Sequence, residues 1–342
     1  MTLRKIVLFV LLVAVLVGAG LTALSSLRRS DSSSPSGAPR LVFYTNPAAT
    51  TPQLPLWACA ADGELERLFR LEMRLWKSTE HLQTLVLAGE GDLWLGHIEG
   101  FARARQQGAP VVLLAVTGWR KMALVTRRDD ISTLADLCGR TVPYAPPGSP
   151  ALPIARALLG DMADQVVFQP VHPRKLVMQL IRGDADIGLL PEPVVTMLLD
   201  KSSTCHVAFN LEDFYAPRNR GRARMPLAGL AVHAAFAQRH PERVEQLLRI
   251  LKTKAVELNR APERAPELLP EAFSSSIPRR IVKQSLARDV IMVEAARDVE
   301  DEINAFLALV TPELGGVDTH FPKDFIWHGP QDSPSAPAPE KN

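Results

Sequence analysis

The sequence predicts an α/β fold of two similar lobes, and three observations lead there. The stretch LIRGDADIGLLPEPVVTMLL, Leu180–Leu199, reads as a helix end, a glycine turn, a short buried strand and the opening of a second helix. Gly183 fits the left-handed position that closes a helix, and Asp186–Leu190 is too short and apolar for a surface helix. Ninety-four positions earlier LVLAGEGDLWLGHIEGF, Leu85–Phe101, repeats the pattern, with Gly89, Glu90, Asp92 and Leu95 matching Gly183, Asp184, Asp186 and Leu189. A length of 342 residues then supports two domains. Ligands in such sheets bind beyond the carboxyl ends of the strands, and lobe interfaces are preferred pocket sites.

The elements follow in order. Leu41–Thr45 is β-rich, Asn46–Pro55 is a polar, proline-punctuated loop, and Leu56–Phe69 is a helix interrupted at Asp62-Gly63. Arg70–Lys77 alternates as a half-buried strand, and Ser78 caps the helix that runs to Leu87. The first copy of the repeated unit supplies strand Asp92–Gly96 and helix Ile98–Gln107. Pro110–Val116 is a buried strand, and Met122–Thr126 crosses into the second lobe. There, Ser132–Leu137 is a short capped helix, Thr141–Ala145 a strand, Pro146–Pro150 a turn and Ala151–Leu159 a helix. Val166–Pro170, Pro173–Ile181 and the second copy complete that lobe, and Val207–Asn210 leaves it. Leu227–His233 returns as a strand, and Pro241–Leu309 reads helical, with breaks at Asn259–Pro262 and Ser274–Pro278. The expected division is residues 40–120 with 227–328 as a discontinuous first lobe and 121–226 as the second. Residues 30–39 form a flexible linker and 329–342 a disordered tail.

At the amino terminus Arg4-Lys5 precede Ile6–Leu27, 22 residues without a charge. A secretory apolar region is about 7–15 residues and a spanning helix about 20, so residues 1–29 are expected to export the chain. They are either a cleaved signal peptide, cut near Ala23-Leu24-Ser25, or a membrane anchor stopped at Arg28-Arg29. The expected location is periplasmic or otherwise extracytoplasmic. Without this segment 35 basic residues face 37 acidic ones, a balance of −2 that excludes nucleic acid as a partner. Cys59, Cys138 and Cys205 show no metal-binding spacing, and a Cys138–Cys205 bridge is one arrangement open to them.

LPLWACAADGELERLF, LVLAGEGDLWLGHIEGFARARQQGAPVVLLA, ISTLADLCGRTVPYAPPGSPALPIARALL and LIRGDADIGLLPEPVVTML occur in an order that resembles substrate-binding proteins of ABC importers. The resemblance is to the nitrate, sulfonate, taurine and thiamine-precursor group and covers residues 41–325. It implies a type II periplasmic-binding-protein fold with a two-strand hinge, closing on a small solute, an anion among the candidates, and docking on a permease. It implies no cofactor and no catalysis. The related thiamine-pyrimidine synthase carries a cysteine-rich iron motif that this chain lacks, and GxSxG, HExxH and P-loop patterns are absent too. An exported sensory domain without a transporter is the other alternative. Two departures stand out: Cys138 replaces the usual lysine after Ala-Asp-Leu, and His97 replaces a usually small residue.

Candidate ligand contacts lie where helix starts offer unpaired N–H groups. Gly148 and Ser149 form one such turn, where Ser149 either meets a ligand or caps its own helix. His97 forms another, with the same choice. Trp119 either stacks on a solute or fills the lobe interface. Asn46 and Gln53 fall in the loop after the first strand, where the resemblance places contacts. Glu192 either binds a cationic or hydroxyl group or anchors the hinge. Asp92 and Asp186 are expected to tie turns to backbone N–H groups. Arg218–Arg224, RNRGRAR, reads as a solvated loop or as a patch for anionic lipid or permease.

Overall fold

A computed structural model describes residues 37–120, 122–312 and 322–330 of the chain. The expected export segment and the far tail from residue 331 lie outside these residues. Among the described residues no helix is long and apolar enough to cross a membrane.

The body from Arg40 onward carries two sheets within one unit. The first takes strands β1 (Arg40–Thr45), β2 (Arg70–Leu75), β3 (Leu93–His97), β4 (Val111–Gly118), β10 (Ala228–His233) and β11 (Glu294–Ala295), in the order β11-β4-β10-β3-β1-β2. β1 pairs in parallel with β2 and β3, whereas β10 runs antiparallel between β3 and β4. The second takes β5 (Met122–Thr126), β6 (Thr141–Tyr144), β7 (Val167–Pro170), β8 (Ile187–Pro191) and β9 (His206–Asn210), in the order β7-β6-β8-β5-β9. The chain passes from first to second sheet after Gly118 and returns between Asn210 and Ala228. These crossings run side by side: the Met225 and Leu227 N–H groups donate to the Trp119 and Gly118 carbonyls at 3.0 Å each.

The two copies of the repeated unit fold alike. Helix Thr79–Leu87 ends before Gly89 (φ +66°), β3 follows, and helix Ile98–Gln106 begins. Helix Pro173–Arg182 ends at Gly183 (φ +80°), β8 follows, and helix Val194–Lys201 begins. Asp92 accepts from the Val42 N–H at 2.8 Å, the turn tie expected of it. Asp186 differs: its side chain is exposed near Arg128, and its backbone carbonyl makes the tie, accepting from Arg127 N. Ser78 caps its helix as expected, accepting from His81 N at 3.2 Å.

Several expectations need correction. The helix read as starting at Leu56 starts at Thr50, and Pro55 lies inside it. Proline costs a helix bond and clashes with the preceding turn, but every residue from Thr50 to Cys59 is buried, and that packing overrides the local preference. Ser132–Leu137 forms only a single tight turn over Ala135–Leu137. The carboxy-terminal region is not helical throughout, because Glu294–Ala295 adds an edge strand against Val116 and Ala115. The cysteines need no correction: all three are free thiols, and the Cys138–Cys205 bridge open to the sequence is not formed.

One apolar core, holding Phe43, Trp57, Phe69 and Leu251, lies against the first sheet. A larger one is continuous from Trp94 and Phe101 through Trp119 to Ile154, Leu189 and Phe306, so it joins elements of both sheets. Each such side chain contributes about 1.5–3 kcal/mol when fully buried.

Candidate functional site

Helix Thr79–Leu87 and the start of helix Ile98–Gln106, from the first sheet, face the turn Pro146–Pro150 that follows β6 in the second. Between them lies a cleft of about 390 Å³. The turn comes very close at Gly148 (φ +71°). A Cβ there would sit 2.9 Å from Glu80 Oε1 and from Thr79 Oγ1, so glycine is required twice over, by conformation and by space.

His97, Gly148 and Ser149 all line this cleft, although they stand about fifty residues apart in sequence and belong to different sheets. Neither polar side chain caps its helix. His97 makes no capping bond at Ile98–Gln106, and the buried Ser149 Oγ has no hydrogen-bond partner in the protein. Burial pushes the His97 imidazole down to about 4, so it is neutral near pH 7.

Glu99, beside His97 on the first turn of the helix, was not singled out from sequence. Acidic residues are ordinary there because they complement the helix dipole, so the sequence gives no signal beyond its place two residues after His97. Its side chain is 8% exposed, Oε1 lies 3.9 Å from His97 Nδ1, and Oε2 has no hydrogen-bond partner. Burial raises its pKa to about 7 against the lowering effects of its own backbone N–H and of Arg103. Gln83 contributes a third polar atom without a partner, Nε2.

The other candidates lie elsewhere. Gln53 is fully buried and saturated: Oε1 accepts from Thr45 and from the Trp57 indole, each at 2.9 Å, and Nε2 donates to the Asn46 and Ala49 carbonyls. Asn46 spends its amide on the Trp76 carbonyl and its oxygen on Ala48 N, an Asx turn. Trp119 is buried at the first crossing, with the Arg224 guanidinium 4.5 Å from its ring centroid. Glu192 is buried and accepts from Thr196 N at 3.2 Å, on the helix that follows it.

Two of the four arginines in the run are engaged by one carboxylate, and Arg218 and Arg220 are exposed. Arg222 pairs with Glu302 at 2.7 Å, and Arg224 makes a forked pair with both of its oxygens, Nε to Oε2 at 2.9 Å. Asn219 donates to the same carboxylate at 3.1 Å. Burial would raise the Glu302 pKa, but these bonds hold it below the usual carboxylate range. Among the described residues no group of three or more His, Cys, Asp or Glu side chains is placed to hold a metal ion.

Two sheets joined by paired crossings, with a cleft between their helix starts, define the architecture of periplasmic solute-binding proteins, and solved structures share it. The periplasmic aliphatic sulphonate binding protein SsuA from Escherichia coli matches with a TM-score of 0.67 at 13% identity, over 85% of this chain and 92% of that one. The alkanesulfonate-binding protein SsuA from Xanthomonas axonopodis pv. citri, bound to MOPS, gives 0.63 at 17% identity, over 85% and 99%. The periplasmic nitrate-binding protein NrtA from Synechocystis PCC 6803 gives 0.60 at 12%, over 81% and 82%. At such identities these likenesses establish the fold. The family model described as NMT1/THI5 like matches residues 71–265, more than half of the chain, and the chain belongs to that family. No curated protein matches it in sequence. The solved neighbours are binding proteins rather than enzymes.

Proposed function

We propose that this chain is an extracytoplasmic solute-binding protein that captures a small molecule in the cleft and hands it to an ABC importer permease. In this reading residues 40–120 with 227–328 form one lobe and 121–226 the other. The paired crossings form the hinge, and residues 1–29 direct export. The cleft carries the reading: its walls come from elements of both sheets, and it holds buried polar atoms, Glu99 Oε2 and Ser149 Oγ, that the protein itself leaves without partners. Such groups are costly to bury unbonded, and a solute that bonds to both walls offsets that cost only when the lobes are together. Solute therefore stabilises the closed form through its contacts to both sides.

A thermal-shift screen of small polar solutes, followed by small-angle scattering, tests this. A bound solute at a hundred times its Kd stabilises by about 2.7 kcal/mol, and the radius of gyration should fall on binding. Ser149→Trp, which fills the cleft, should abolish the shift. A stabilising compound that still acts on Ser149→Trp would place binding elsewhere and end the proposal.

A further inference from the structure

We infer that the cleft takes a solute presenting N–H donors, as an amine, an amidine or an amino-substituted heterocycle does, to the Glu99 carboxylate, and that it rejects sulfonates and nitrate. The inference rests on the solute-binding reading above and specifies the chemistry of the same site.

The polar groups on the cleft walls carry it. Glu99 is more than nine-tenths buried, and its Oε2 accepts nothing from the protein. When ionised the carboxylate can only accept, and when protonated it keeps acceptor capacity beside its one O–H, so a donor on the solute is satisfied by either form. Ser149 Oγ on the opposite wall, also more than nine-tenths buried, and Gln83 Nε2 can then bond to an acceptor on the same small molecule. The charges point the same way. Two carboxylates, Glu80 and Glu99, line the cleft, and its one guanidinium, Arg103, belongs to an exposed residue. His97 adds no positive charge near neutrality, since burial holds it deprotonated. A sulfonate or nitrate would therefore be buried with no buried cation among the described residues of the cleft to offset it, and only with Glu99 held in its protonated form. A protonated amidine, by contrast, would hold Glu99 ionised, and a neutral amino-heterocycle would bond to it in either form.

The test is calorimetry on the exported form of the protein, in two arms. One arm holds benzamidine, methylguanidine, 2-aminopyridine and other small amines and amidines; the other holds methanesulfonate, nitrate and small carboxylates. Binding is expected from the first arm only. Glu99→Gln should weaken it at least tenfold and Glu99→Ala further, with unfolding midpoints no lower than that of the unaltered protein. Binding from the oxyanion arm, or unchanged affinity for the donor compounds in Glu99→Gln, would overturn the inference while leaving solute capture standing. Silence in both arms would remove the inference and the solute-binding reading together.

Discussion

The chain uses the same helix–glycine–strand–helix unit twice, and the two copies differ in how their carboxylates are spent. After β8, Glu192 turns back on its own helix and accepts from Thr196 N. After β3, Glu99 sits on the first helical turn among the residues that line the cleft, with Oε2 buried and bonded to nothing in the protein. A backbone unit whose acidic residue turns back on its own helix in one half brings an acidic residue to the wall of the cleft in the other, and the difference rests on where that residue falls relative to the helix start. In the second copy one carboxylate oxygen accepts from the third N–H of the following helix. In the first, burial disfavours the charged form, and on the proposed reading a solute offsets that cost.

The sharpest way to break this contrast is to hold the walls apart. Gly148→Val places a branched side chain where 2.9 Å separates the turn from Thr79 and Glu80. Affinity for any cleft-binding solute should fall about a hundredfold, ~2.7 kcal/mol, while circular dichroism stays that of the folded protein; wild-type affinity in this variant would show that closure at Gly148 is not needed. Next in size, the two carboxylates should respond to neutralisation with opposite signs. Glu192→Ala should lower unfolding stability by about 1 kcal/mol through loss of a helix-terminal bond, and Glu99→Gln should raise it by ~1 kcal/mol by removing an uncompensated buried charge. Chemical denaturation of both variants decides, and losses of equal size would erase the distinction between the copies.

A pH series sharpens it further. The Glu99 pKa rises from 4.5 to about 7 on folding, so the native state binds its proton more tightly than the unfolded chain does. Its contribution is therefore lost as pH rises from about 4.5 to about 7. The His97 pKa falls from 6.5 to about 4, so its contribution has the opposite slope, growing as pH rises from about 4 to 6.5. In the wild type the two oppose each other. His97→Asn should expose the falling limb and Glu99→Gln the rising one, read from denaturation midpoints between pH 4 and 8. Identical slopes in the two variants would contradict the assignment.

The smallest effect concerns the turns. Gly89→Ala and Gly183→Ala should each cost about 1–2 kcal/mol for the left-handed backbone. Gly89 should cost slightly more, because its Cβ would meet Pro110 at 3.2 Å whereas that of Gly183 would meet the Arg127 guanidinium at 3.6 Å.

The parts of this molecule set by local pattern were legible in the sequence: both copies of the unit, the buried runs of β4 and β8, and the Ser78 cap. So was the meeting of His97 with Gly148 and Ser149, because strand ends and helix starts of an α/β sheet gather on one side. What could not be read depends on partners far along the chain. Gln53 looks like a free loop amide until Thr45, Trp57 and the carbonyls of Asn46 and Ala49 surround it. Trp119 looks like a stacking platform until Arg224, 105 positions later, occupies its face. Helix Thr50–Ala61 was hidden because its prolines argue locally against it while its burial argues for it. Glu99 was hidden because an acidic residue on a first helical turn is unremarkable until its surroundings show that it has been left dry.

Glu302 grips Arg222 and Arg224 at the point where Arg224 lies on Trp119, so one carboxylate fastens both routes between the sheets. A gate hung twice on a single post swings only as freely as that post permits. On the proposed hinge reading the stiffness of the swing is set from helix Glu300–Val310, none of whose residues lines the cleft. On the proposed reading, tightness of capture and ease of release could be retuned from there without altering which molecule is recognised.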